Sequence, residues 1–157
     1  MGVETEKKFL VKKDLWNKVR KEGTRYRQGY MLRQEDKTIR VRLIEGDQGY
    51  ITIKGKAQGI SRPEYEYAIP GKDAEELLEN FCDAVVSKKR YKINIEGKLW
   101  EVDEFLEDNE GLIVAELELK EEAERFVLPE WIDKEVTGDP RYYNSELSVN
   151  PFKNWKQ

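Results

Sequence analysis

Seven separate stretches of this chain set charged or polar side chains two residues apart, and nearly every stretch keeps to one sign. Residues two apart in an extended strand project to the same face, so the spacing both implies strands and sorts each into two sides. Glu4, Glu6 and Lys8 oppose Val3, Thr5, Lys7 and Phe9, while Arg40 and Arg42 oppose Ile39, Val41 and Leu43. Thr52 and Lys54 stand against Ile51 and Ile53, and Glu64 and Glu66 against Tyr65, Tyr67 and Ile69. Further on, Lys88, Arg90 and Lys92 share a face opposite Lys89, Tyr91 and Ile93. Glu101 and Asp103 are sorted from Trp100 and Val102, and Glu116 and Glu118 from Leu117 and Leu119.

One such strand is what a sheet with a single wet face shows. A polar exterior, however, mixes Lys with Glu, Thr, Ser and Gln on neighbouring strands. Here acid falls on the first, fifth, seventh and eighth strands and base on the third, fourth and sixth. Like charges at close range repel, and enclosure makes this costlier unless opposite charge lies between them. A polyanion chelated to divalent cations meets both needs. Carboxylates hold the cations, and Lys and Arg neutralise phosphate oxygens, Arg with a geometry suited to bidentate contact. The substrate class implied is a phosphate chain with its metal.

Composition narrows the chemistry further. The 157 residues suit one domain spanning 1–157. There is no histidine, which removes Ser/His/Asp and Cys/His nucleophile systems and all histidine metal sites. A metal must then be held by oxygen, which favours hard cations. Direct attack of water on a terminal phosphorus, assisted by two ions of Mg²⁺ or Mn²⁺, is the economical mechanism. A net charge of −4 argues against a nucleic-acid partner held by a general basic surface. No apolar run approaches the roughly 18 residues of a membrane span, and Met1 to Lys8 is charged where a signal peptide is apolar. A cytoplasmic protein without a membrane partner is expected, monomeric or homodimeric. The lone Cys82, near Leu77, Leu78 and Phe81, reads as a buried structural thiol.

The strands fall at Val3 to Val11, Arg25 to Arg33, Thr38 to Glu45, Gly49 to Lys56, Arg62 to Pro70, Val85 to Glu96, Lys98 to Leu106 and Leu112 to Lys120. Turn signals at Glu45-Gly46-Asp47-Gln48, Glu96-Gly97-Lys98 and Asp108-Asn109-Glu110-Gly111 make them antiparallel. Asp14 caps a helix to about Lys21, with Leu15, Val19 and Trp16 as its apolar face. Asp73 begins a second, to about Cys82, with Leu77, Leu78 and Phe81 facing the core. Short helices are expected at Pro129-Glu130-Trp131 and Asp139 to Tyr143, and a loosely ordered tail after Asn144. The expected fold is α+β: an eight-stranded closed antiparallel β-barrel, or tunnel, with peripheral helices, whose interior holds one small ligand.

Glu4-Thr5-Glu6-Lys7-Lys8 matches an E-x-E-x-K signature. It is followed in order by Arg27-Gln28-Gly29-Tyr30, Thr38-Ile39-Arg40-Val41-Arg42, Thr52-Ile53-Lys54-Gly55, Glu64-Tyr65-Glu66 and Lys88-Lys89-Arg90-Tyr91. Trp100-Glu101-Val102-Asp103, Ala115-Glu116-Leu117-Glu118 and Glu135 to Tyr142 complete the series. The chain thus resembles, over nearly its whole length, the CYTH superfamily of triphosphate tunnel metalloenzymes. The resemblance implies a tunnel open at both ends that binds a triphosphate. It implies metal ligation by Glu4, Glu6, Glu64, Glu66, Glu116 and Glu118, with Asp103 contributing, and phosphate binding by Lys8, Arg40, Arg42, Lys54, Lys88 and Arg90. Glu4, Glu6, Lys8 and Tyr30 are the expected catalytic groups, Tyr30 either as a hydroxyl that touches the phosphate or as a structural aromatic of the barrel. Surface charge is the expected role of Lys134 and Arg141, with a place at a tunnel mouth as the weaker alternative. Hydrolysis of inorganic triphosphate to diphosphate and phosphate is the leading activity. The alternatives are a nucleoside or thiamine triphosphatase, a class IV-type adenylate cyclase, and a non-catalytic polyphosphate-binding module.

Overall fold

The computed structural model describes residues 2–155; Met1, Lys156 and Gln157, which belong to the single-domain expectation, lie outside the described residues. The alternating segments form strands β1 (Gly2–Val11), β2 (Thr24–Gln34), β3 (Lys37–Ile44), β4 (Gln48–Gly55) and β5 (Ser61–Pro70). After the helix that follows β5 come β6 (Val85–Ile95), β7 (Lys98–Phe105) and β8 (Ile113–Glu118). A short strand, β9 (Ile132–Glu135), completes the sheet. Its order is β5-β4-β3-β2-β6-β7-β8-β1-β9, with every pairing antiparallel and an additional β1–β5 pairing that closes the first eight strands into a ring. Closure depends on β1 changing partners along its length. Gly2 to Thr5 pair with β5, Glu6 to Leu10 with β8, and the far end of β1 with β9.

Hydrophobic burial lies mainly outside the ring. The outward residues Phe9, Trp100, Val102, Ala115 and Leu117 pack beneath Trp16 and Trp131, forming the largest apolar cluster. Helix α1 (Lys13–Val19) contributes Trp16. Lys12, not Asp14, occupies its N-cap; Asp14 sits in the first turn, where its charge still favours the helix dipole. Trp16 is the anchor, and Val19, expected on the apolar face, is exposed. Helix α2 (Gly71–Phe81) covers the outer face of β3 and β4 with Ala74 and Leu78, and Cys82, expected to be buried, is half-buried at the edge of this cluster. Phe81, the last residue of the helix, is exposed rather than buried. Gly49 makes room for α2: a Cβ there would stand 2.8 Å from that of Ala74.

The C-terminal region departs most from expectation. The segment around Pro129-Glu130-Trp131 makes no helix, since backbone pairing with the open edge of β1 wins and gives β9. The expected helix at Asp139 to Tyr143 is a 3₁₀ turn at Pro140–Tyr142. Nor is the tail loose. Helix α3 (Asn144–Leu147) buries Leu147, and Phe152 and Trp155 pack beside Tyr142. Their partners include Leu10, Val86, Phe105 and Val114, which share the inward face of their strands. One sector of the tunnel is therefore filled with apolar side chains. Among the described residues, no helix is long and apolar enough to cross a membrane.

Candidate functional site

Alternation turns the opposite faces of the strands inward, onto a cavity of about 670 Å³. Its lining includes Glu4, Glu6 and Lys8 from β1, Arg40 and Arg42 from β3, and Lys54 from β4. Glu64 and Glu66 come from β5, Lys88 and Arg90 from β6, Glu116 and Glu118 from β8, and Tyr30 from β2. Every expected site residue is thus brought together except Asp103, which lies beneath the lining, and Lys134 and Arg141, which are exposed outside it. A second cavity of about 400 Å³ shares Glu4, Glu6, Lys8, Thr38, Arg62, Tyr143 and Ser145 with the first.

The ring order gives the charges an arrangement that chain order hides. The acidic strands β7, β8, β1 and β5 are consecutive around the ring, and so are β4, β3, β2 and β6. The lumen therefore has an acidic wall facing a basic one, with β2 contributing the neutral side chains Tyr26, Gln28 and Tyr30. Two cations break the acidic wall. Lys8 lies 3.9 Å from Glu6 and 3.7 Å from Glu116, and Arg62 donates from Nε to Glu4 Oε1 at 2.7 Å.

The two walls differ electrostatically. Burial raises Glu6 to about 7, helped by the charge of Glu116, and burial together with a hydrogen bond to Glu4 raises Glu64 to about 7. Glu4 runs the other way: burial opposes ionisation, but Lys54 at 2.7 Å and Arg62 hold it well below the usual carboxylate range. Glu118 is also raised, by burial and then by Glu4 and Glu101. Carboxylates on this wall outnumber their partners.

On the basic wall the side chains are held in place. Asp103, wholly buried, accepts Lys88 Nζ at 2.8 Å and Arg90 at 2.7 and 2.9 Å. Both of its oxygens are taken. Burial pulls Lys88 down to about 7 and Arg42 to about 9, Arg42 also feeling Arg40 and Arg90. The Tyr26 ring lies between two guanidiniums, 5.0 Å from Arg42 and 5.2 Å from Arg90. Arg40 Nη2 donates to Thr52 Oγ1 at 3.0 Å, and Thr52 donates onward to Glu66 at 2.9 Å, joining the walls across β4. The Nε of Arg40 is buried with no hydrogen-bond partner among the described residues.

Sequence reasoning missed Arg62, which shares the inward parity of Glu64 and Glu66 and could have been found by the same count. It also missed Gln28 and Asn144, whose side chains join the basic wall through a hydrogen bond of 3.0 Å. Gln28 shares the inward parity of Tyr26 and Tyr30; nothing periodic marks Asn144, which lies outside the strands.

Comparison with known proteins agrees with this geometry. The chain is 54% identical over 158 residues to an inorganic triphosphatase of Acetivibrio thermocellus, covering 100% of both chains. It is 34% identical over 151 residues to an inorganic triphosphatase of Nitrosomonas europaea, covering 94% of this chain and 97% of the relative. A crystal structure of an inorganic triphosphatase superposes with a TM-score of 0.63 at 30% identity, over 92% of this chain and 97% of the other. The model of the CYTH domain matches residues 2–146, and with its closed ring and charge-lined lumen the chain belongs to the CYTH family.

Proposed function

We propose that this protein hydrolyses inorganic triphosphate to diphosphate and phosphate in the lumen, with divalent cations. The observation that carries the reading is the pair of opposed walls, carboxylates facing Lys and Arg across one cavity. Its volume of about 670 Å³ is of the size that small ligands occupy, roughly 300–1,000 Å³. The names of the two relatives point to the same substrate.

The donor set fits a hard cation. Its side chains are all carboxylates, and Glu6 and Glu118, directly paired across β1 and β8, are both pushed up by burial and like charge. Among the described residues no three carboxylates form a ready-made metal centre, so the substrate's oxygens would complete the coordination. We assign Glu4, Glu6, Glu64, Glu66, Glu116 and Glu118 to two ions of Mg²⁺ or Mn²⁺. When bound, these ions supply Lewis-acid neutralisation at phosphate oxygens. Asp103 is better placed as the counterion of Lys88 and Arg90 than as a ligand.

The remaining chemistry belongs to the chain. Arg40, Arg42, Lys54, Lys88 and Arg90 bind the phosphates and neutralise their charge, a task of positioning and electrostatics. Lys8, set among the carboxylates, can reach the terminal phosphate from the acidic side. The Tyr30 hydroxyl lines the same cavity and can orient an attacking water. The test is release of phosphate by purified protein with Mg²⁺ or Mn²⁺, comparing triphosphate, ATP and thiamine triphosphate. Triphosphate should be the preferred substrate. Faster formation of cyclic AMP from ATP, or tight triphosphate binding without turnover in either metal, would overturn the reading.

A further inference from the structure

The C-terminal segment reaches the lumen at Asn144, and none of the roles assigned above uses it. Asn144 Oδ1 accepts two hydrogen bonds, from Lys88 Nζ at 2.9 Å and from Gln28 Nε2 at 3.0 Å. Gln28 is wholly buried, and its Oε1 accepts Arg42 Nε at 3.1 Å. One amide oxygen on α3 thus ends a relay running through β2 to Arg42 on β3, and it also holds Lys88 on β6. Asn144 itself is fixed by its surroundings. It opens α3, whose Leu147 is buried against Val86 and Phe105, and the 3₁₀ turn before it buries Tyr142 in the same cluster.

The donor inventory shows what this achieves. The Lys88 ammonium has three N–H donors. Asp103 and Asn144 take two of them, which leaves one for a ligand in the cavity that Lys88 borders, its side chain being wholly buried. Arg42 is held at Nε, so its two Nη groups remain for a bidentate contact with phosphate. We propose that Asn144 is a positioning residue for phosphate binding, aiming Lys88 directly and Arg42 through Gln28, so that the apolar plug is also a support of the phosphate cradle. This rests on the lumen being a phosphate site, and not on its turning substrate over.

Removing the amide would leave Gln28 Nε2 buried without an acceptor and Lys88 with Asp103 alone. Gln28 would then turn to seek another partner and release Arg42. The groups affected bind phosphate in the ground state as in the transition state, so KM should suffer more than kcat.

The test is a double-mutant cycle of Asn144→Ala and Lys88→Met. It is read as KM and kcat for triphosphate, and independently as the dissociation constant of triphosphate with Ca²⁺ by calorimetry. Asn144→Ala should raise KM and the dissociation constant about tenfold and change kcat less than threefold, the scale of one or two lost hydrogen bonds. In the Lys88→Met background the same change should have a clearly smaller effect. If Asn144→Ala does not fold, Gln28→Met, which keeps the volume and removes the relay, carries the test. It should raise KM severalfold with the thermal midpoint held within a few degrees. Wild-type affinity in the variant tested, or effects of Asn144→Ala and Lys88→Met that simply add, would overturn the inference. Wild-type protein that binds triphosphate without hydrolysing it would instead refute the proposed activity and leave this cycle readable by calorimetry.

Discussion

The acidic and basic walls of the lumen carry comparable charge and are stabilised in opposite ways. The basic wall is held in place within the protein: Asp103 sits under Lys88 and Arg90, the Tyr26 ring lies near both Arg42 and Arg90, and Thr52, Gln28 and Asn144 each fix one donor, of Arg40, Arg42 and Lys88 in turn. The acidic wall is not. Glu6 and Glu64 stand near other carboxylates and retain protons up to about 7. Preorganised donors suit a phosphate chain that must be held in one geometry, whereas under-neutralised carboxylates suit cations that arrive with the substrate. The contrast implies that charge removal should harm the fold on one wall and only function on the other.

The largest effect is expected at Asp103. Replacing it with Asn keeps the shape and leaves Lys88 and Arg90 buried without their nearest counterion. Breaking such a pair costs about 3–5 kcal/mol, so Asp103→Asn should lower unfolding stability on that scale in denaturant titration. A variant as stable as wild type would break the contrast. Next is Glu6→Gln, which removes a carboxylate that burial and Glu116 already disfavour. Turnover should fall about a hundredfold or more, while the thermal midpoint of the metal-free protein above pH 7 holds or rises.

A third prediction concerns protons. Folding raises Glu6 and Glu64 from 4.5 to about 7, so the folded chain binds more protons than the unfolded one across that interval. The stability of metal-free protein should therefore decline as pH rises from about 4.5 through 7. Adding Mg²⁺ at pH 7 should expel protons, giving a calorimetric enthalpy that depends on the ionisation enthalpy of the buffer. That dependence should vanish well above pH 7. The smallest effect is expected outside both walls: Lys134→Ala and Arg141→Ala should change kcat/KM less than twofold, since both side chains are exposed and Arg141 pairs with Asp139.

Period-two sorting made the inward face of seven strands legible, because a pleated strand leaves its side chains only two directions. It could not reveal which strands become neighbours. The grouping of acidic and basic strands depends on β6 pairing with β2 and on β1 closing against β5, contacts between residues far apart in the chain. Asp103 had the parity of a lumen ligand, yet its depth beneath Lys88 and Arg90 makes it a counterion, and depth leaves no mark in alternation. β9 was hidden because Ile132 to Glu135 is too short to show a period, and its structure comes from the free edge of β1. The tail looked loose because Leu147, Phe152 and Trp155 are spaced irregularly; they are ordered by packing against the apolar cluster of Val86, Phe105 and Val114.

The most direct test of the opposed-wall account is a crystal structure with triphosphate and Mn²⁺ under conditions that prevent turnover, with the metal located by its anomalous scattering. Manganese should lie against Glu4, Glu6, Glu116 and their neighbours, and the phosphates against Arg40, Arg42, Lys54, Lys88 and Arg90. Triphosphate bound outside the lumen, or manganese held by Asp103 beneath Lys88 and Arg90, would contradict it.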